Sequence, residues 1–536
     1  FGSSIVSGTL GCLLPEDHHT KQTSDTLGGG HKDFHTRYIQ DSFSLKMSAP
    51  SNLTVVKDSL NRTMQDYALI HGLVYADKDL TGDPSRCTQC PVAMLPFKMP
   101  AEPFHHAVKL SPMWNKLVDK VSRDLPWLYS TLDAVLAVDP FTRKLVEVCK
   151  EVHEEGLKQQ IYLGIHRSDY MLHEVAGEDP RFLQVELNTI SSSMAAHAVN
   201  AASLHSFLLG RYSSESSDVS AALKDHFQLG ESSDLSEQLP PNAALLQIPA
   251  AIAKAHSVSG CAPGAVVVMV VQGPERNFAD QRFLDFNLWE NHKVPMVRKT
   301  FTELAEEASI DPATGRLKLK SGVEVSVVYY RAGYAPEDYP TDVEWNARLM
   351  LEKSAAIKCP SVAYQLVGAK KVQQALARPG AVERFLEPSE SELLRTCFAG
   401  LWGLGPGEDD KEIMDKVMAD PTLYVMKPQR EGGGYNFYGQ DVATKLKELS
   451  FEERGAYILM QRILPKSQAA ILTRMGVPTV GECVSEFGFF ACFVGDATTT
   501  HLSEHGGHLV RSKLEGVDEG GVAAGYAVIS SPFLMK

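Results

Sequence analysis

A segment that combines basic residues, a carboxylate and three glycines indicates what chemistry this chain could perform. Residues 427–436 read KPQREGGGYN and follow the apolar run 423–426. Adjacent glycines disfavour helices and strands, and their bare backbone amides can approach an anion closely. Lys427 and Arg430 suit a polyphosphate, which Glu431 would repel unless a divalent cation lay between them. The segment therefore predicts a phosphate-binding loop with Glu431 as a Mg²⁺ ligand, although an ordinary surface turn has the same composition.

A predicted strand at residues 182–190 offers further metal ligands. The side chains of Gln184, Glu186 and Asn188 are expected on one face, because side chains alternate along a strand. Mg²⁺ takes one or two carboxylates and completes its octahedron with phosphate oxygens and water. Glu186, Asn188 and Glu431 are therefore predicted metal ligands. The alternative is a half-buried strand with a solvated polar face.

Apolar patterns predict the elements that would position these residues. Apolar positions recur at three and four residues from Leu53 to about Leu157, which indicates a largely helical N-terminal region. Beyond it strands and helices alternate, and a mixed α/β fold with α+β elements is predicted. Buried strands are expected at 265–271 and 323–330 around a helix near 278–290, and further strands at 422–426, 457–463 and 483–494.

Composition narrows the class of protein. The chain has 536 residues and 44% hydrophobic content, enough for a large core in several lobes. Its net charge of -14 opposes non-specific binding to nucleic acid or anionic membranes. The longest apolar run, residues 265–271, is too short to span a bilayer. The 9 cysteines are odd in number and scattered, which is typical of reduced thiols and predicts a cytoplasmic location.

Residues 1–46 differ from the rest of the chain. They are rich in Ser, Thr, Gly and His and lack hydrophobic periodicity, which predicts a disordered leader or extension before Met47. A plastid transit peptide is the alternative, and the acidic residues in the segment argue against it.

Eight segments of the chain match one known family in its own order, from about residue 55 to the C-terminus. They are 166–170, 186–193, 275–277, 331–334, 370–374, 427–436, 457–463 and 520–525. Together they resemble the eukaryotic-type glutathione synthetases of the ATP-grasp superfamily, most of all the plant and algal branch. The resemblance implies an ATP-grasp fold with a helical N-terminal region. It divides the chain into body residues 47–264, an inserted α/β substrate-binding domain at 265–370, and ATP-grasp and C-terminal residues 371–536.

The resemblance also implies a reaction. ATP would activate γ-glutamylcysteine as an acyl phosphate, and glycine would attack it to give glutathione, ADP and phosphate. Two Mg²⁺ ions with ATP, a homodimer, and no nucleic-acid or membrane partner are expected. Two alternatives stay open: a ligase that uses β-alanine or serine as the acceptor, and a non-catalytic nucleotide-binding regulatory protein of the same fold.

Individual site residues follow from the same resemblance. The catalytic candidates are Arg167, Lys370, Lys427 and Arg511. The nucleotide candidates are Glu186, Lys370, Lys427, Glu431, Gly432, Gly433, Gly434, Tyr435, Asn436, Tyr438, Met460, Gln461, Arg462, Ile463, Glu486, Lys513 and Glu519. The substrate candidates are Arg167, Ile190, Ser191, Ser192, Ser193, Glu275, Arg276, Asn277, Gln281, Arg331, Ala332, Gly333, Tyr334, Arg511, Val522 and Ala523.

Three arginines have distinct implied tasks, for which a planar guanidinium suits better than an ammonium. Arg331 would hold the γ-glutamyl end together with Tyr334, and Arg511 would hold the glycine carboxylate. Arg167 would face the activated carboxyl group. A surface ion pair is the alternative for each of them.

The chain departs from the family pattern at three positions. Ala332 stands where many animal members carry Asp, Tyr435 replaces a frequent Asn, and Glu519 lies where animal members often have Asp. By contrast, the small pair at 523–524 resembles the members that use glycine.

Overall fold

The computed structural model describes residues 51–77, 86–228, 235–408, 411–429, 435–518, 520–522 and 525–536. Several predictions therefore lie outside the described residues: the leader 1–46, the loop residues 430–434 with Glu431, and Glu519, Ala523 and Ala524.

Helices occupy much of the N-terminal half and also lie between the strands that follow. They are α1 Ser51–Ile70, α2 Ala101–Arg123, α3 Leu125–Val138, α4 Pro140–Glu155, α5 Ala195–Tyr212, α6 Asp218–Phe227, α7 Ala244–Val258, α8 Phe278–His292, α9 Phe301–Glu307, α10 Asp342–Lys353, α11 Val362–Val367, α12 Lys370–Ala377, α13 Pro388–Arg395, α14 Lys411–Ala419 and α15 Gln440–Glu448.

Strands supply the sheets that carry the site. They are β1 Val74–Ala76, β2 Cys87–Gln89, β3 Val92–Ala93, β4 Phe97–Pro100, β5 Tyr162–His173, β6 Arg181–Asn188, β7 Val266–Val270, β8 Met296–Lys299, β9 Ala308–Ile310, β10 Leu317–Leu319, β11 Val325–Tyr330, β12 Ile357–Cys359, β13 Leu401–Gly403, β14 Tyr424–Pro428, β15 Phe437–Tyr438, β16 Tyr457–Gln461, β17 Gln468–Arg474, β18 Val477–Gly495, β19 Thr500–Leu514, β20 Val528–Ser530 and β21 Pro532–Met535.

Local sequence explains where α3 and α4 begin. Asp124 accepts a hydrogen bond from the Trp127 amide, and Asp139 accepts one from the Thr142 amide. Each aspartate therefore satisfies a donor that the first turn of a helix leaves unpaired. A proline follows each aspartate within the first two helical positions, where no amide is needed.

A seven-stranded sheet forms the centre of the fold. Its strand order is β17-β3-β20-β19-β18-β5-β6, and β5, β6, β18 and β19 pair antiparallel with their neighbours. One face carries buried aromatic side chains from the sheet's own strands, among them Tyr170, Phe182 and Phe489. The opposite face of the same four strands carries charged residues.

Two four-stranded sheets flank this centre. The sheet β12-β11-β7-β8 is entirely parallel, and β7 and β11 are buried along their whole length. Burial on both faces is the usual state of a parallel sheet. The sheet β13-β16-β14-β15 is antiparallel and includes the predicted strands that precede and follow the glycine loop.

The predicted mixed α/β architecture is confirmed. Buried strands at 266–270 and 325–330 and the helix at 278–292 match the expected βα arrangement closely. The strand expected at 422–426 lies two residues later in the chain. Residues 421–423 form a 3₁₀ turn, and the strand runs over 424–428. The division of the body at 264 and 370 stays a prediction.

The prediction of a largely helical region from Leu53 to about Leu157 is confirmed, except for the segment between residues 74 and 100. Strands β1 to β4 lie between 74 and 100, and two of them join the C-terminal elements β20 and β21. These strands have two to four residues each, which is too short for an alternating pattern to stand out.

The prediction that Gln184 shares a face with Glu186 and Asn188 is also wrong. Asp169 pairs with Glu186 while Tyr170 pairs with Gln184, so Val185 is an extra residue in β6. Such a β-bulge reverses the side-chain alternation beyond it. Gln184 consequently donates to Ser168 Oγ at 2.7 Å on the aromatic side of the sheet.

No helix within the described ranges is long and apolar enough to cross a membrane. The eight cysteines in those ranges are all free thiols.

Burial lowers the pKa of several histidines in the described ranges, among them His166, His205, His226, His505 and His508. The lowered value is about 3 for His166, neither ring nitrogen of which is hydrogen-bonded to any described residue. Below pH 6.5 the unfolded chain binds protons at these sites while the folded chain does not. Stability should therefore fall as the pH drops from about 6.5 towards 4.

Replacing His166 by Leu should make this loss of stability less steep. The variant removes one proton that is taken up on unfolding. The slope of the free energy of unfolding against pH should therefore decrease by about 1.4 kcal/mol per pH unit between pH 6 and 4. Urea unfolding at a series of pH values measures it. Equal slopes for wild type and His166→Leu would contradict the prediction.

Candidate active site

Four neighbouring strands of the large sheet direct charged side chains to one face. Paired residues point to the same side of a sheet, and Glu486 of β18 pairs with Arg511 of β19. Asp169 of β5 pairs with Glu186 of β6, and Arg167 pairs with Asn188. These six side chains therefore form one polar surface.

A glycine in β18 makes room for the central pair of that surface. A Cβ atom at Gly488 would lie 2.6 Å from Asp169 Oδ1 and 2.8 Å from Arg167 Cδ. Both distances are shorter than atoms can approach without displacement. The absence of a side chain at Gly488 thus allows Arg167 and Asp169 to lie flat across the sheet.

Asp169 connects the polar residues to one another. It is fully buried, and Arg167 donates to its two carboxylate oxygens at 2.7 and 2.8 Å. Arg511 donates to Oδ2 at 2.9 Å and also contacts Glu486. A buried carboxylate needs such partners, since an unpaired charge in the interior is strongly unfavourable.

Glu186 and Asn188 have the chemistry of Mg²⁺ ligands. The Asn188 amide nitrogen donates to Asp169 Oδ2 at 3.0 Å and to Glu186 Oε1 at 3.3 Å. Its amide oxygen is therefore the atom available to a cation. Carboxylate oxygens of Asp169, Glu186 and Glu486 lie within 4.8 Å of one another. Hard oxygen donors grouped in this way fit Mg²⁺, and Glu186 and Asn188 are the residues that would hold it.

The pKa values of the two glutamates in this group are shifted in opposite directions. Burial raises the pKa of Glu186, but the nearby cations Lys370, Lys427, Arg511 and Arg167 outweigh burial and lower it to about 2. For Glu486, burial and the neighbouring carboxylates prevail over Arg511, and its pKa is raised. Glu186 is therefore the carboxylate held ionised for a metal.

Two lysines lie near Glu186. Lys427, on β14, donates from Nζ to the Val185 carbonyl oxygen at 2.9 Å and thereby joins the antiparallel sheet to β6. The Nζ of Lys370, at the start of α12, lies 3.9 Å from Glu186 Oε2. Both side chains are almost fully buried, which increases the effect of their charge on a bound phosphate.

A cavity of about 800 Å³ adjoins these residues. It is lined by most of the predicted site: Arg167, Glu186, Asn188, Ile190, Ser191, Ser192, Ser193, Glu275, Arg276, Asn277, Gln281, Arg331, Tyr334, Lys427, Asn436, Tyr438, Met460, Gln461, Arg462, Ile463, Glu486, Arg511, Lys513 and Val522. Side chains from the central sheet, the antiparallel sheet and the segments that follow β7 and β11 thus meet around one space.

Arg331 contributes a buried guanidinium to the lining of this cavity. It is 5% exposed, and its Nη2 donates to Asp280 at 2.8 Å. Its Nη1 has no hydrogen-bond partner among the described residues. Burial raises the pKa of Asp280, but Arg331, His197 and the Ala196 amide together lower it well below its usual range. Arg331 therefore places a positive charge in the cavity wall, where it can attract an anionic ligand.

Polar residues beside Arg331 are held in fixed orientations. Glu275 accepts from the Asn277 amide at 2.7 Å and from Gln281 Nε2 at 2.5 Å. Ser191 has φ of 53° and donates from its hydroxyl to the Tyr330 carbonyl at 3.2 Å. The Ser191 contact ties the end of β6 to the end of β11.

Four described candidates do not line the large cavity. Lys370 lines a neighbouring cavity of about 40 Å³, and Tyr435 is 50% exposed. Ala332 is buried, and Gly333 donates its amide to Asp338. These last two residues support Tyr334 rather than face the cavity themselves.

Sequence reasoning missed three residues that organise the site: Asp169, Asp280 and Gln272. Asp169 lies within a segment that matches the family, but a lone aspartate there gives no sign of its two arginine partners. Asp280 occupies the first turn of α8, a common place for a solvated carboxylate. Gln272 carries no signal of its own.

Comparison with known proteins identifies the family. Residues 55–534 match the family model described as eukaryotic glutathione synthase, ATP binding domain. The chain belongs to this family. It is therefore an ATP-dependent ligase, as the sequence predicts, and the grouped oxygen donors agree with the Mg²⁺ that ATP requires.

Relatives of this glutathione synthase family member cover most of its length. A chloroplastic glutathione synthetase of Solanum lycopersicum is 42% identical over 83% of this chain and 78% of its own. A glutathione synthetase of Dictyostelium discoideum is 39% identical over 88% and 97% of the two chains. The Homo sapiens glutathione synthetase is 36% identical over 89% and 96%.

A solved structure shares the fold of this family member. A glutathione synthetase-like effector from Globodera pallida superposes with a TM-score of 0.70. It is 21% identical and covers 91% of this chain and 98% of its own. Together with the family match, this shared fold is consistent with the expected ATP-grasp type of fold.

Replacing Asp169 by Asn should disable the site while the body stays folded. An amide would place a donor against two guanidinium groups, and removing one partner of a buried charge-assisted pair costs about 2–5 kcal/mol. We expect kcat/KM to fall at least about 30-fold, in line with that range. The measurement is ADP release, with a thermal melt alongside.

Asp66→Asn is the matched control, because Asp66 also pairs with an arginine, Arg62, but at the exposed surface of α1. Exposed pairs contribute little, so this variant should keep full activity. Equal activity of the Asp169 and Asp66 variants would contradict the prediction.

Proposed function

We propose that this protein is a glutathione synthetase, which joins γ-glutamylcysteine to glycine with the conversion of ATP to ADP and phosphate. The observation that carries the proposal is one cavity lined by the central sheet, the antiparallel sheet and the segments that follow β7 and β11. One wall holds cations beside oxygen donors suited to Mg²⁺, and another holds the buried cation Arg331. A ligase of this kind needs both in one space.

The nucleotide is proposed to lie along the antiparallel sheet. Residues 460–463 line the cavity and include two apolar side chains for adenine, those of Met460 and Ile463, and Lys427 lies near the end of β14. Lys370 and Lys427 neutralise charge that develops as phosphate moves to the substrate carboxylate. Mg²⁺, when bound by Glu186 and Asn188, adds positive charge at the phosphates, and Glu431 is proposed as a further ligand.

The dipeptide is proposed to extend from Arg331 to Arg167. Arg331 and Tyr334 take the γ-glutamyl end with Glu275, Asn277 and Gln281, and the serines 191–193 line the path between. Arg167 donates to the Ser193 carbonyl at 3.2 Å, which holds its guanidinium beside that path. There it stabilises negative charge on the reacting carboxyl group, which becomes an acyl phosphate and then a tetrahedral intermediate.

Glycine is proposed to bind between Arg511 and the segment 520–525. Arg511 and Val522 both line the cavity, and Ala523 lies outside the described residues. The amine attacks the acyl phosphate, and phosphate leaves. Exclusion of water from this space protects the activated carboxyl group.

We also propose a homodimer, as the family resemblance implies. Phe286 and Trp289 are more than half exposed on one face of α8, which supports an apolar contact with a second copy. A cytoplasmic location is proposed. The chloroplastic relatives in tomato and Arabidopsis thaliana make a plastid the alternative if residues 1–46 act as a transit peptide.

The purified protein should release ADP when γ-glutamylcysteine, glycine, ATP and Mg²⁺ are all present, and mass spectrometry should detect glutathione. Replacement of glycine by β-alanine or serine should lower kcat/KM at least about tenfold, because serine adds a hydroxymethyl group and β-alanine separates its amine from its carboxylate by one further methylene. Faster turnover with β-alanine or serine would favour the alternative ligase. Nucleotide binding without turnover on any acceptor would favour the regulatory protein.

The Arg511→Lys variant should impair glycine binding most. A lysine keeps the positive charge beside Asp169 and Glu486 but loses the planar pair of donors. We expect the KM for glycine to rise about 13- to 160-fold, which corresponds to the 1.5–3 kcal/mol typical of hydrogen bonds to charged groups, while that for ATP changes little. Steady-state kinetics with each substrate varied in turn measures this, and equal changes in all three KM values would assign Arg511 to another task.

A further inference from the structure

The loop that carries Tyr334 into the cavity is held by a carboxylate outside the cavity. Asp338 Oδ2 accepts from three successive backbone amides, those of Gly333, Tyr334 and Ala335, at 2.8, 3.1 and 3.3 Å. A carboxylate that accepts hydrogen bonds from several backbone amides holds them strongly, because its negative charge strengthens each hydrogen bond. Without it, these amides would lose their partner at a half-buried position.

The second oxygen of Asp338 reaches the cavity wall. Gln272 Nε2 donates to Asp338 Oδ1 at 2.7 Å and to the Tyr334 hydroxyl at 3.1 Å. Both Gln272 and Tyr334 line the cavity, whereas Asp338 does not. The carboxylate therefore fixes Tyr334 at its backbone amide and, through Gln272, at its hydroxyl.

The other side of the loop permits one backbone conformation at Gly333. Its φ is 95°, and an added Cβ would lie 2.6 Å from the Tyr339 hydroxyl. The Gly333 carbonyl accepts from Gln365 Nε2 at 2.8 Å and from Tyr339 at 3.3 Å. The amide of Gly333 is thus held by Asp338, and its carbonyl is held by Gln365 and Tyr339. These contacts fix the direction in which Tyr334 leaves the backbone.

We propose that Asp338 is a positioning residue that sets the affinity of this protein for the γ-glutamyl end of its substrate, by orienting Tyr334 and Gln272 in the cavity wall. The inference rests on the proposed function. The Ala332 side chain cannot contribute a polar contact to the substrate, since it has no polar group and is buried outside the cavity lining. The role of Asp338 therefore does not depend on Ala332.

Asp338→Asn tests the proposal, because an amide keeps the shape of the carboxylate and weakens its hold on the amides. We expect the KM for γ-glutamylcysteine to rise about tenfold, as for a lost charge-assisted hydrogen bond, with the KM values for ATP and glycine within about twofold of wild type. Glu337→Gln is the control, since it removes the same charge from the adjacent, exposed position and should change none of the three values.

A second variant keeps the test decisive if Asp338→Asn folds poorly. Gln272→Met preserves side-chain length and removes the amide that joins Asp338 Oδ1 to the Tyr334 hydroxyl, so it should give the same selective rise. In the double variant the rise should be smaller than the product of the single effects, because both residues act through one connection.

The outcomes separate this inference from the proposed function. If the unaltered protein ligates γ-glutamylcysteine but the Asp338 and Gln272 variants raise all three KM values alike, or match Glu337→Gln, only the positioning role is wrong. If the unaltered protein does not ligate γ-glutamylcysteine at all, both the role and the proposed function are wrong.

Discussion

The site depends on a single buried carboxylate that two arginines share. Asp169 lies inside the central sheet with Arg167, Arg511 and Asn188 donating to it. A carboxylate in that environment is stable only while its partners remain, and each partner is in turn held in place by the carboxylate. The polar face is therefore rigid before any ligand binds. This preorganisation suits a reaction in which charge develops at defined atoms.

The surrounding fold supplies that carboxylate with its space and its neighbours. Gly488 leaves room above it, and long antiparallel pairing brings β5, β6, β18 and β19 into register beside it. The aromatic layer on the other face anchors the same strands against helices. Because the strands cannot shift without disturbing that layer, the charged side chains keep their relative positions.

Positioning at the opposite end of the cavity uses backbone groups as well as side chains. Arg331 is oriented by Asp280, which also accepts from the amides of Met194 and Ala196 at the start of α5. The neighbouring loop is held by the Asp338 carboxylate. In both places an aspartate outside the reacting space satisfies amides that would otherwise be unpaired, and a residue inside that space takes its direction from it.

Sequence alone determined the features that depend on neighbouring residues. Apolar runs located β7 and β11, helical spacing located α8, and the residue types around 186–188 and 427–436 indicated phosphate and Mg²⁺ chemistry. Tertiary structure decided what depends on residues far apart in the chain. Asp169 and Arg511 are 342 positions apart, and no local pattern reveals that they meet. Strands β1 to β4 are too short to show a period, and the bulge at Val185 reverses the face of Gln184 because of how β6 pairs with β5. Side-chain alternation is a local property, whereas pairing register and buried charge partners arise only when distant segments pack together.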